Sequence, residues 1–431
     1  MNAVTTLAPR RWKYIIPAVM VMYLLAYLDR GNVAIILPYI GDGLRLSDAA
    51  QGLTSGIFFL GYLILQVPAV VLARRWGARP VITFLLTGWS VAAVLCGLVQ
   101  NDVQLYVARF VLGVFEGGVL PVTLLLLTRW FADGERVRAN TLFLTCLPLS
   151  AVLSPPFTGW LLTFVHWRTV FVIEGIVPLV WLVPLMLILR ERPAQASWLD
   201  RDAAAELERI IASEQAAKTA VVRSSYRQVL RSRLVWQLIA IYFLWTAGAY
   251  GLVLWLPTVL KGLASQESSS LQVGLLSSIP YLVALAGMLV WSRWGRAVPA
   301  RTATALPLLV AGVALALGQV STGGVLQIVL LCIVAAGGYL TLGTFLAIPS
   351  LMFPEAFTVV AIAAMTTLGG IGGFAGPFLV GWVSGLAGAT SAGLYTLAAC
   401  FLLSGLLSIV TIPRRPQVTT TPSESRVTMS N

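Results

Sequence analysis

The chain has 431 residues, 58% hydrophobic and 11% charged, with a formal net charge of +12 and a mean hydropathy of +0.86. A soluble domain averages about 25% charged residues, so the composition excludes a soluble globular protein and implies a polytopic membrane protein. The cations do not form a nucleic-acid-binding face either, because they cluster in alternate loops between apolar runs.

Twelve runs are long and apolar enough to cross a bilayer as helices. They fall at 14–38, 51–72, 80–99, 105–128, 139–164, 169–189, 235–259, 272–294, 302–320, 325–350, 359–385 and 391–412. Counting Arg293, at the very end of span 8, with the loop that follows it, 24 of the 29 Lys and Arg lie before span 1, in the even loops and in the tail. Only Arg45, Arg168 and Lys261 lie in the opposite loops. The positive-inside rule then puts both termini in the cytoplasm. The first run is too long for a cleavable signal peptide and lacks a small-residue cleavage site. Cys96, Cys146, Cys332 and Cys400 fall inside apolar runs without metal or disulfide spacing and are expected to be small core residues.

Span 1 carries Tyr23-Leu-Leu-Ala-Tyr27-Leu-Asp29-Arg30-Gly31-Asn32. An Asp and an Arg inside a span are unfavourable by roughly 3 kcal/mol each on insertion scales, which makes them functional candidates. At about 100° per residue, Tyr23, Tyr27 and Arg30 share one face and Asp29 stands at its flank. Span 2 holds Tyr62 and Gln66 one turn apart, placed either to face a cavity or to pack. Span 4 reads Arg109-Phe-Val-Leu-Gly113-Val-Phe-Glu116-Gly117-Gly118-Val-Leu-Pro121. Arg109 and Glu116, seven apart, project from one face. Gly113 and Gly117 form a small-xxx-small pair that lets another helix come close, and Pro121 is placed to loosen the end of the span.

Arginine stays charged, and its fork matches a carboxylate bidentately, so Arg30 and Arg109 are candidate anchors for an anionic substrate. Asp29 and Glu116 can titrate. An anion arriving at an arginine competes for the guanidinium and leaves its carboxylate free to take a proton, which couples the two. The alternative is two static ion pairs that hold spans 1 and 4 in register.

In the following segments, His166 is expected to be a solvated loop residue. Glu174, near the outer end of span 6, is expected to pair with Arg168 or to cap a helix. The polar stretch from Arg190 to Leu234 predicts a surface helix, with Leu199, Ala203, Leu207, Ile210 and Ile211 at helical spacing, Asp200 and Asp202 near its start and Lys218 near its end. It would join an N-terminal six-helix bundle (1–190) through a linker (191–234) to a C-terminal bundle (235–412), followed by a flexible tail (413–431).

The two halves are related. Arg75-Trp76-Gly77 after span 2 recurs as Arg293-Trp294-Gly295 after span 8, at an offset of 218. Pro156-Phe157 with Gly159-Trp160 recurs as Pro377-Phe378 with Gly381-Trp382, at 221 to 222. Corresponding spans of the same sidedness describe a parallel repeat, an architecture whose substrate site lies near the midplane between the halves. Spans 7 to 12 carry no charged residue between their ends, so Tyr250, Trp255, Tyr281 and Phe345 are the candidates there, as lining or as packing. Gly369-Gly370-Ile371-Gly372-Gly373-Phe374-Ala375-Gly376-Pro377 lies inside a span without a following Lys, so helix packing and bending explain it better than phosphate binding. No nucleotide-binding loop, nucleophile–base pair or metal-ligand cluster is evident, which argues against an ATP-driven pump or an enzyme.

Several stretches together resemble the major facilitator superfamily over nearly the whole chain, and within it the anion:cation symporter family. They are Tyr27-Leu-Asp-Arg-Gly-Asn32, Arg109 to Pro121, Arg129-Trp-Phe131 with Glu135-Arg136, Trp167-Arg168, Ile173-Glu-Gly175, Arg192-Pro193 with Trp198-Leu199, Tyr250-Gly251 with Trp255-Leu-Pro257, Ile279-Pro-Tyr281, and Gly372-Gly-Phe374 with Pro377. The resemblance implies an all-α fold of twelve transmembrane helices in two six-helix pseudo-repeats. It implies uptake of a small organic anion, such as a sugar acid or tartrate-like carboxylate, by proton symport with alternating access. Asp29 and Glu116 would then be proton sites, and Arg30, Arg109 and Tyr27 would surround the substrate carboxylate. Arg75, Gly77, Arg79, Arg293 and Gly295 match the gating loops, although Arg74 and Ser292 stand where the superfamily places Asp, implying a weaker latch. Gly370 stands where many relatives have Asn, which removes a substrate hydrogen bond; relatives handling tartrate-like and deoxy-sugar acids also lack that Asn. No cofactor is expected beyond a proton as coupling ion, with sodium left open. The partners would be the organic anion and the lipid bilayer, with no nucleic acid, for a monomer in a bacterial cytoplasmic membrane. The competing functions are an exchanger or exporter on the same fold and an anion sensor that moves nothing.

Overall fold

The computed structural model describes residues 9–219, 229, 231–263, 269–294, 298–321, 323–353 and 355–413, and these are helical wherever they are regular. Twelve helices among them are long and apolar enough to cross a membrane. They are span 1 (Arg10–Leu44), span 2 (Asp48–Trp76), span 3 (Ala78–Leu98), span 4 (Asp102–Leu127), span 5 (Arg138–Leu161), span 6 (Trp167–Ile188), span 7 (Arg233–Gly262), span 8 (Ser270–Trp291), span 9 (Ala300–Val320), span 10 (Gly324–Pro349), span 11 (Val360–Ala387) and span 12 (Thr390–Thr411).

Proline sets the breaks in three spans. Span 2 divides into Asp48–Ile64 and Gln66–Trp76. Span 4 divides into Asp102–Gly117 and Val119–Leu127. In span 5 one helix ends at Leu144 and the next starts at Cys146. Each first segment stops four residues before a proline, at Pro68, Pro121 and Pro148, whose missing N–H removes the bond to that carbonyl. Span 11 breaks instead between Gly369 and Gly372, and the Thr246 hydroxyl donates to the Gly369 carbonyl at 2.7 Å.

The chain forms two compact units. The first comprises Met1–Ala220, Gly251–Tyr281 and Phe374–Gly393, and the second Val221–Tyr250, Leu282–Gly373 and Leu394–Asn431. In the first, spans 2 and 4 cross closely, because a Cβ at Gly113 or Gly117 would strike the carbonyl oxygens of Phe58 or Tyr62. Parts of spans 7, 8 and 11, within Gly251–Tyr281 and Phe374–Gly393, belong to this unit. Gly52 lies against the Pro377 carbonyl and Gly381. The Tyr39 hydroxyl and Ser270 Oγ are 2.5 Å apart, Ser278 Oγ donates to Val152 O at 2.8 Å, and Trp255 Nε1 donates to Pro377 O at 3.1 Å. These direct contacts hold the segments of spans 7, 8 and 11 against one another and against spans 1, 2 and 5.

At the terminus end, the fully buried Arg11 grips both oxygens of Glu135 at 2.7 Å and donates to the Trp130 carbonyl at 3.0 Å. The linker helix runs from Arg201 to Thr219, and Asp200 caps it by accepting from the backbone N–H of Asp202 and Ala203 at 3.1 Å each. It buries Leu199, Leu207 and Ile211 as expected, with Ala204 rather than Ala203 on the covered face. The second unit has its own apolar cluster, which includes Leu238, Ile241, Phe345, Ile348 and Met365.

Candidate functional site

The charges of spans 1 and 4 meet in the interior of the first unit. Asp29, Arg30, Arg109 and Glu116 are all buried, at 1%, 7%, 1% and 0% exposure. The partners cross between spans rather than pairing within them. Arg30 Nη2 donates to Glu116 Oε2 at 2.8 Å and its Nε reaches the same oxygen at 3.3 Å. Glu116 Oε1 has no hydrogen-bond partner, nor do Asp29 Oδ2 and the Nε and Nη1 of Arg109. The site therefore holds one satisfied ion pair beside a second cation and a second carboxylate with bonding capacity to spare. Asp29 lies in the field of Glu116, Arg109 and Arg30.

Aromatic rings enclose the cations. The Arg30 guanidinium lies 4.3 Å from the Tyr27 ring centre, 4.7 Å from Tyr62 and 5.2 Å from Phe58. Arg109 lies 5.1 Å from the centre of the same Phe58 ring. Tyr23 packs edge-on to Tyr27, with centroids 5.0 Å apart. A guanidinium over an aromatic face gains roughly 2 kcal/mol when desolvated, so the rings hold the forks in place and exclude water. Phe58 was not singled out in the sequence. Its signal is its position one turn before Tyr62, on the same face of span 2.

Asn32, Thr158 and Glu174 join the site from spans 1, 5 and 6. Asn32 Nδ2 donates to Asp29 Oδ1 at 3.1 Å and also to Glu174 Oε2. Thr158 Oγ1 donates to Glu174 Oε1 at 3.2 Å. Glu174 is 6% exposed. The expected pairing of Glu174 with Arg168 is thus corrected. Arg168 instead donates to the Val99 carbonyl and lies 4.2 Å from the Trp167 ring centre. Six residues apart on a helix, the two side chains are about 240° apart. His166 is exposed, and its side chain caps span 6 by accepting from the Arg168 backbone N–H at 3.4 Å.

The remaining candidates are distributed as follows. Gln66 is half-buried at the start of the second segment of span 2. Trp255 (1% exposed) and Tyr281 (5%) are buried in the first unit. Tyr250 and Phe345 belong to the second unit, where Phe345 stacks on Tyr242 with centroids 6.1 Å apart. Among the loop residues, Gly77 has φ +100°, Arg75 is exposed and Arg79 Nη2 donates to the Met186 carbonyl at 2.9 Å. Arg74, at the superfamily's Asp position, is exposed. The carboxylate at this turn comes from Glu191, which accepts from the Arg79 backbone N–H and pairs with Arg129. Arg293 lies in the last turn of its helix, and Gly295 lies outside the described residues.

A bilayer-long bundle with buried fixed charges at its centre has counterparts among known proteins. The chain is 31% identical to a putative tartrate transporter of Agrobacterium vitis, with 94% of each chain covered. It is 30% identical to a quinolone resistance transporter of Acinetobacter baumannii, with 92% of each covered. Its fold is similar to the crystal structure of a bacterial homolog of the human lysosomal transporter Spinster in an inward-facing, occupied conformation, with a TM-score of 0.74 at 18% identity, covering 95% of this chain and 99% of that one. Residues 19–377 match the Major Facilitator Superfamily. By that match and by its twelve-helix architecture, the chain belongs to the Major Facilitator Superfamily and is a membrane transporter, not an enzyme.

Proposed function

We propose that the protein imports a small organic anion, a tartrate-like or sugar-acid carboxylate, by proton symport with alternating access. The observation that carries this reading is the buried Arg30–Glu116 pair beside Arg109, whose Nε and Nη1 have no partner. A carboxylate docking on one edge of the Arg109 guanidinium would satisfy one of those donors, since Nε and Nη1 lie on different edges of the fork. Its second contact, at Arg30, would compete with Glu116, and Glu116 with Asp29 would then take protons as the anion's charge enters the site. The relatives named as tartrate transporters support the substrate class.

With both termini in the cytoplasm of a bacterial inner membrane, import with excess protons carries positive charge inward. Each charge gains roughly 2.3 kcal/mol per 100 mV of membrane potential. A second reading, proton-driven export of an amphiphilic anion, is favoured by the quinolone-resistance relative. Proteoliposome uptake tests both. Accumulation of a carboxylate against its gradient, driven by an acid exterior and lost in Asp29→Asn, supports import. Efflux driven in the opposite sense supports export.

A further inference from the structure

Glu174 has no part in the exchange just described, yet it is buried and tied to it. One amide nitrogen, Asn32 Nδ2, donates to Asp29 Oδ1 at 3.1 Å and to Glu174 Oε2. Glu174 accepts a second bond from Thr158, while Asp29 Oδ2 accepts none. The charged groups acting on Asp29 are Glu116, Arg109 and Arg30, and the charged group acting on Glu174 is Asp29. Span 3 adds only the buried thiol of Cys96, which also faces Asp29 and Arg109. The cluster thus contains three carboxylates, Asp29, Glu116 and Glu174, against two guanidiniums. Fully ionised it would hold one uncompensated negative charge in an apolar bundle, an arrangement unfavourable by several kcal/mol. A single proton removes the imbalance. Glu116 is already paired with Arg30, so the proton belongs to the other two acids. It is held between these two acids, which Asn32 Nδ2 bridges.

We propose that Asp29 and Glu174 form a carboxyl dyad, bridged by Asn32, that holds one proton between them in the substrate-free protein, and that Glu174 is thereby a third proton-carrying residue of the transport site. The proposal deepens the proton-coupled reading and rests on it for its transport consequence. Its structural part stands or falls separately.

The direct test is infrared difference spectroscopy of the full-length protein in liposomes, without substrate or gradient. The wild type is expected to show the carbonyl stretch of one protonated carboxyl at neutral pH. Glu174→Gln leaves two acids against two cations, so Asp29 ionises and the band disappears; Asp29→Asn also removes it. Glu174→Asp keeps it. Persistence of the band in both amide variants, or its absence from the wild type, would overturn the dyad. So would its loss on adding sodium chloride at constant pH, which would assign the carboxylates to a metal cation. If Glu174→Gln does not fold, Thr158→Val tests the same coupling: it removes a donor from Glu174 and should shift the band's titration. In uptake assays, Glu174→Gln should move the pH of half-maximal transport by about one unit, the scale at which two titrating groups count as coupled. An unmoved profile with a lost band would retain the dyad and remove Glu174 from proton transport. Wild-type uptake that needs no proton gradient would overturn the symport reading while leaving the infrared result standing.

Discussion

Arg30 Nη2 donates to Glu116 Oε2 at 2.8 Å across two different membrane spans. The pair sits between Tyr27, Tyr62 and Phe58, so water does not screen it, and removing either charge exposes the other to an apolar interior. Removing one partner of a buried pair is unfavourable by about 3–5 kcal/mol, far more than at a surface. The two ends of this bond are therefore expected to give different phenotypes.

Glu116→Gln keeps the shape and a hydrogen-bonding group beside Arg30. It should retain exchange of labelled for unlabelled anion and lose accumulation driven by a pH gradient. Arg30→Ala leaves Glu116 buried without its cation. It should unfold at clearly lower temperature and show no anion binding, and Arg30→Lys should not restore binding, since an ammonium lacks the planar fork. Thermal unfolding and counterflow exchange on the same preparations check both.

Arg109 has donors without partners, so its loss disturbs the empty protein less. Arg109→Ala should lower the unfolding temperature by less than Arg30→Ala does, yet abolish the stabilisation that a bound organic acid confers. Unfolding curves with and without excess acid separate the two effects. Equal loss of intrinsic stability in both variants would make Arg109 a structural cation.

The crossing of spans 2 and 4 depends on the absence of side chains. Gly113→Leu places atoms against the Phe58 carbonyl, and overpacking of this kind typically destabilises by about 1–3 kcal/mol. The expected result is poor yield and early unfolding on size-exclusion and thermal assays. Gly262→Ala, where a Cβ meets nothing within 4 Å, should be neutral in the same assays.

Trp255 ties span 7 to span 11 through its hydrogen bond to Pro377 O. Trp255→Phe removes this tie while the Pro377 carbonyl, inside the helix Gly372–Ala387, keeps its intrahelical donor, so the net loss is about 0.5–1.5 kcal/mol. It should lower the unfolding temperature slightly and leave the anion-binding step intact, read by thermal unfolding with and without excess organic acid. An unchanged unfolding temperature would show that the bond adds nothing to the packing of spans 7 and 11.

The spans were legible because hydropathy windows depend on composition, and Pro121 marked the break in span 4; the breaks before Pro68 and Pro148 follow the same rule but were not singled out. Asp29, Arg30, Arg109 and Glu116 stood out because charge in an apolar run is rare for an energetic reason. Which acid meets which base was not legible. That depends on the rotation of the two spans about their axes, which packing determines, for span 1 chiefly against spans 5 and 6 and for span 4 chiefly against span 2. Glu174 was misplaced for a related reason: Arg168 is near in sequence, whereas Asn32 and Thr158, its actual partners, lie 142 and 16 residues away. Helical phase alone spoke against the Arg168 pairing. The exposed Arg74 illustrates a substitution whose consequence only three dimensions reveal, since Glu191 brings a carboxylate to that turn from the end of span 6.

The most direct test of the account is uptake by purified protein in liposomes, with an imposed pH gradient and a panel of tartrate, sugar acids, phthalate and an uncharged sugar. The account predicts uphill accumulation of at least one acid, none of the sugar, collapse when a protonophore abolishes the gradient, and no accumulation in Asp29→Asn or Glu116→Gln. Accumulation by Asp29→Asn and Glu116→Gln equal to the wild type, or uptake indifferent to the protonophore, would contradict it.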